Sequence, residues 1–103
     1  MKAPTFLEQA NGISGYYRNH VEGGAGEEEY RIGLEMAQLW LDLMESENPD
    51  LQRVECLLVT LVENKDFGGS AWFDLSLGVR AWARFQISQG LIPPEFIKYV
   101  SRL

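Results

Sequence analysis

From Glu27 onward the polar positions Glu28, Arg31, Glu35, Gln38, Asp42 and Glu45 recur at alternating spacings of three and four. Between them lie Tyr30, Ile32, Leu34, Met36, Leu39, Trp40, Leu41, Leu43 and Met44. That is one narrow polar stripe along a helix. A stripe so narrow predicts a helix covered on most sides, either at the centre of a bundle or against another chain. A homodimer through this helix, or through the aromatic fourth one, is the corresponding expectation.

The same period organises the rest. Phe6, Ala10, Ile13, Tyr17 and Val21 make a helical stripe, preceded by Pro4, with Thr5 as cap and Glu8 placed to complete a capping box. Gly12 and Gly15 weaken that helix by about 1 kcal/mol each relative to alanine, so a break near them is expected. A third helix is predicted from Pro49 in its first turn, with Asn48 as cap and Asp50 near the positive end of the dipole. Leu51, Val54, Leu57, Leu58, Leu61 and Val62 form its inner face, and Gly68 and Gly69 close it. Ser70 is a candidate cap for a fourth, in which Trp72, Leu75, Val79, Trp82 and Ile87 fall near one face and which Gly90 ends. The chain restarts after Pro93 and Pro94 with Phe96, Ile97, Val100 and Leu103 apolar. "CLLVTLV" is strand-like in composition, but its capped, helically spaced surroundings argue for helix. No internal repeat and no low-complexity segment is present. The expected fold is all-α: one compact bundle of four to five helices spanning residues 1–103 as a single domain.

Composition narrows the class without naming it. A length of 103 residues suits one domain, which buries roughly 60–65% of the surface of its unfolded chain. An apolar share of 46% is too high for a disordered chain. No apolar run approaches the roughly 20 residues of a membrane span, and "MKAPTFLEQANG" has no apolar leader core. With a single cysteine, Cys56, no intrachain disulfide is possible. The expected location is the cytoplasm, with no membrane contact.

The net charge is −6, and it is uneven: residues 1–69 carry −8 and residues 70–103 carry +2. Phosphate backbones are bound by clustered Lys and Arg, so direct nucleic-acid binding is not expected. "WFDLSLGVRAWARF" imitates a base-stacking surface, but Trp72, Trp82 and Phe85 at that spacing read as core. Arg80 and Arg84, one turn apart, make a small basic spot.

Several candidate chemistries fall away on the residues themselves. "EGGAGEEEYR" resembles a phosphate loop entering a helix, yet Glu27, Glu28 and Glu29 already occupy the positive end of the dipole and would repel phosphate. No Lys follows them. A Cys–His nucleophile would need Cys56 and His20 in contact, whereas a free cysteine beside the inner face of a helix reads as a small core residue. One Cys and one His are too few for a zinc site, and no Glu-x-x-His pair supports a di-metal bundle. No cofactor or metal is therefore expected. Glu35 is the least implausible catalytic acid, which leaves a small carboxylate-based or metal-dependent hydrolase as the alternative.

The most distinctive segment is 22–50, where nine acids face the single base Arg31. Such density creates a local negative field able to steer a basic partner. The expectation is a non-enzymatic protein-binding module or regulator, for example an inhibitor docking on the basic surface of a nucleic-acid enzyme. The residues expected to bind that partner are Glu27, Glu28, Glu29, Glu35, Asp42 and Glu45. A buried Glu35 beside a polar cleft would favour the hydrolase; an exposed row of acids over an apolar interior would favour the binder.

Overall fold

Residues 5–103 are described by a computed structural model. They form five helices and no strand: α1 (Phe6–Glu22), α2 (Glu28–Glu45), α3 (Leu51–Glu63), α4 (Ser70–Ser88) and a short α5 (Ile97–Val100), the last entered through a 3-10 turn at Pro94–Phe96. The expected all-α bundle is the observed fold. Its Cα radius of gyration is 13.2 Å, the value of about 13 Å that a compact domain of 100 residues adopts.

Helix α1 begins where the sequence places it: Thr5 caps it, its Oγ1 accepting the Glu8 amide at 3.2 Å. Pro4 lies outside the described residues. The expected break at Gly12 and Gly15 does not occur, and α1 runs through both. Its buried face, Ala10, Ile13 and Tyr17, holds the helix against its neighbours and outweighs the propensity cost. The glycines that follow serve the turn. Gly24 has φ 81°, with its own amide on the Val21 carbonyl and the Ala25 amide on that of His20. That is a left-handed helix stop, which glycine adopts without steric cost.

The polar stripe of α2 is confirmed position by position. Glu28, Arg31, Glu35, Gln38, Asp42 and Glu45 are all exposed, while the apolar residues between them are buried or half-buried. Helices α1, α3 and α4 all contact α2, so one chain covers much of the surface for which a dimer contact on α2 was expected. Trp40 is wholly buried and meets Trp82 of α4 edge to face, with ring centres 6.5 Å apart.

Three caps differ from expectation. Asp50, not Asn48, caps α3 by accepting the Gln52 amide at 3.0 Å, and Pro49 is buried ahead of the helix. A carboxylate at that position satisfies an orphan amide and the dipole together. The end of α3 comes earlier than Gly68, at Asn64, whose side-chain amide donates to the Thr60 carbonyl at 2.8 Å. Gly69, at φ 99°, takes the cap position of α4, so Ser70 is the first helical residue and caps nothing.

Val54, Leu57, Leu58 and Leu61 of α3 are wholly buried, each such side chain contributing about 1.5–3 kcal/mol. Leu51, expected on the inner face of α3, is 39% exposed. It stands at the first residue of its helix, where no preceding helical turn covers it. Phe85, expected in the core, is 51% exposed, and Cys56, expected beside the inner face, is exposed. Cys56 lies two residues, about 200° of rotation, from both Val54 and Leu58, so the helix that buries those two presents Cys56 to solvent. Ile92, between α4 and the 3-10 turn, is a fully buried residue that no periodicity marked.

Candidate functional site

Helices α1 and α4 run antiparallel, with Phe6 at the start of α1 facing Phe85 near the end of α4 at 6.4 Å between ring centres. Between them lies a groove of about 600 Å³, within the range of about 300–1,000 Å³ typical of binding clefts. Ile13, Gly12, Gly78, Ala71 and Ala81 line it together with Phe6, Tyr16 and Leu77. Tyr16 and Leu77 are each 43% exposed. Among the described residues, the charged groups in the lining are the carboxylates of Glu8 and Asp74.

Glycine opens the groove. A Cβ at Gly78 would come within 2.6 Å of the Trp40 ring, so this glycine admits a core tryptophan beneath it. A Cβ at Gly12 would meet nothing within 4 Å.

At its Tyr16 end the groove adjoins a smaller aromatic pocket of about 60 Å³, lined by Tyr16, Tyr17, Tyr30, Phe67, Trp72 and Glu29. Tyr16 and Ala71 belong to both cavities. His20 stacks between Tyr16 and Tyr30, at 4.1 and 4.9 Å between ring centres, and its Nδ1 lies 2.8 Å from the Tyr16 carbonyl. Burial first, then the neighbouring phenol of Tyr16 and the Glu29 carboxylate, pushes the Tyr17 phenol up to about 12. Tyr30 is raised as well, by desolvation and then by Glu27, Tyr16 and Glu29. Both phenols are neutral at physiological pH.

All six acids read from the sequence as partner-binding are exposed. They are spread along the length of α2. Glu27, Glu28 and Glu29 cluster at the start of α2, and Glu29 reaches the aromatic pocket. Glu35 stands alone farther along the stripe. Asp42 has its own partner, accepting from the Arg53 guanidinium of α3 at 3.2 Å. Glu45 closes the helix. The groove itself was missed by the sequence reading; its signal was Gly12, a helical glycine read only as a weakness.

For other chemistry the geometry offers little. His20 and Cys56 sit on α1 and α3, with His20 engaged by tyrosines and Cys56 exposed. Among the described residues no three His, Cys, Asp or Glu side chains converge as metal ligands, and no helix is long and apolar enough to cross a membrane. No family model, curated protein or solved structure matches this chain.

Proposed function

We propose that this protein is a non-enzymatic binding module that docks on a basic surface of another protein, the basic face of a nucleic-acid enzyme being one such surface. The observation that carries the reading is the exposed row of acids on α2 over an apolar interior, densest at Glu27, Glu28 and Glu29. These three charges also favour the positive end of the α2 dipole, by roughly 0.3–1 kcal/mol each, so the chain keeps them at little cost in stability. Beside them the tyrosine-lined end of the groove supplies amphipathic surface of the kind enriched at protein interfaces. Glu35, exposed on the polar stripe of α2 and lining none of the cavities described, gives the hydrolase reading no support.

The test is capture from the native host on immobilised protein, with mass spectrometry of what is retained. The wild type is expected to hold a basic protein that elutes as salt rises, since steering is screened beyond about 8 Å at physiological ionic strength. Replacing Glu27, Glu28 and Glu29 with Lys is expected to abolish that capture, while the same change at Glu63 and Asp66 leaves it. A triple variant with an unchanged helical circular dichroism spectrum and wild-type capture in low salt would reduce the acidic stripe to a solubilising face.

A further inference from the structure

We propose that the α1/α4 groove receives a helix of the partner protein, one that presents an apolar strip flanked by Lys or Arg. The inference rests on the reading of this chain as a binder of basic partners, but it does not use the acids of α2. Its first support is Gly12. In the middle of a helix a glycine is less favourable than alanine by about 1 kcal/mol, and here a Cβ would meet nothing within 4 Å. Packing among the described residues thus does not require glycine at this position, and because Gly12, unlike the equally open Gly15, lies in the lining, any larger side chain here would take up space in the groove.

The second support is charge. Among the described residues Glu8 and Asp74 are the charged side chains of the lining, and the bases Arg80 and Arg84 of α4 are absent from it. An apolar channel with a carboxylate contributed by each wall complements an apolar strip with basic flanks. It disfavours a second copy of this chain meeting groove to groove, which would set Glu8 and Asp74 against their own equivalents. Length agrees: the lining runs from Phe6 to Tyr16 on α1, about 15 Å at 1.5 Å per residue, or roughly three helical turns.

The probe is a fluorescent helical peptide of leucine and lysine, the heptad Leu-Lys-Lys-Leu-Leu-Lys-Leu repeated twice, read by anisotropy against its leucine–glutamate counterpart. The Leu–Lys peptide is expected to bind and the Leu–Glu peptide not. Gly12→Leu fills the groove with a side chain whose Cβ has open space, so the fold is retained. It is expected to weaken binding about thirtyfold or more, the loss typical of a central anchor pocket. Gly15→Leu, equally open but outside the lining, is the control and should bind as wild type does. Equal binding by Gly12→Leu and wild type, or by the two peptides, would overturn the proposal. So would light scattering in which wild type is a dimer and Gly12→Leu a monomer, for then the occupant is a second copy. If the native partner is lost on Glu27, Glu28 and Glu29→Lys but kept by Gly12→Leu, the binding reading stands and the groove falls. Loss on Gly12→Leu alone confines docking to the groove and removes α2 from it.

Discussion

Helix α1 has two flanks, and they use glycine in opposite ways. Toward α2 it is closed: Gly33 lets the Tyr17 ring lie directly on the α2 backbone, so that any Cβ there would overlap three ring carbons. Toward α4 it is open: Gly12 faces a groove of about 600 Å³. Gly78 of α4 lines the same groove, yet it belongs to the closed kind, because Trp40 fills the space beneath it. In a sequence these glycines look alike, each a cost in a helix interior. In the fold two of them allow close approach and one leaves room. A helix flank closed by aromatic rings is a structural contact, whereas a flank kept open at a cost in propensity is the better place to look for a ligand.

The largest expected effect is at the closed flank. Gly33→Ala should destabilise by about 3 kcal/mol, the upper end of ordinary overpacking costs, because the added Cβ would overlap three carbons of the Tyr17 ring, itself only 3% exposed. Gly78→Ala should cost less, about 1–2 kcal/mol, since its one severe contact, at 2.6 Å, is with the edge of the Trp40 ring. Urea denaturation measures both. Wild-type stability in Gly33→Ala would mean that α1 and α2 are not closed on Tyr17, and the contrast between the flanks would collapse.

The same contact is sensitive to alkali. The Tyr17 phenol ordinarily titrates at 10.0 and here at about 12. Its folded value is the higher one, so its contribution to stability is whole below pH 10 and is lost as pH rises toward 12. One unit into that window the loss is about 1 kcal/mol. Tyr17→Phe should flatten the stability profile above pH 10. An unchanged alkaline profile in Tyr17→Phe would show that the phenol is solvated and the flank loose.

How much of this was legible in the sequence follows from what periodicity measures. It reports which side of a helix is dry, and the stripe of α2 and the inner face of α3 from Val54 to Leu61 were readable for that reason. It reports poorly at helix ends, where Leu51 satisfies the spacing but lacks a preceding helical turn. Caps were ambiguous because Asn48, Asp50, Gly69 and Ser70 are all acceptable cap residues, and only backbone geometry chooses among them. The acids were visible as residues, but the separation of Glu29, beside the aromatic pocket, from Asp42, paired with Arg53, depends on tertiary placement. The groove was least legible of all, because an empty space has no residue of its own, and Gly12 in its lining looks in the sequence no different from Gly15 outside it.

That glycine supplies the smallest and most discriminating test. Gly12→Ala adds one methyl group where nothing lies within 4 Å, in a helix whose φ is ordinary at that position. The folded chain gains no clash, and the unfolded chain loses conformational freedom, so stability should rise by about 0.5–1 kcal/mol. Gly15→Ala, equally open, should gain a similar amount, and the two gains should be compared in the same urea titrations. The methyl is too small to fill the groove, so peptide binding should fall only slightly with Gly12→Ala, far less than with Gly12→Leu, and not at all with Gly15→Ala. A loss of stability in Gly12→Ala would place another part of the chain in the groove. Gly12 would then belong with Gly33 and Gly78, and both flanks of α1 would be closed.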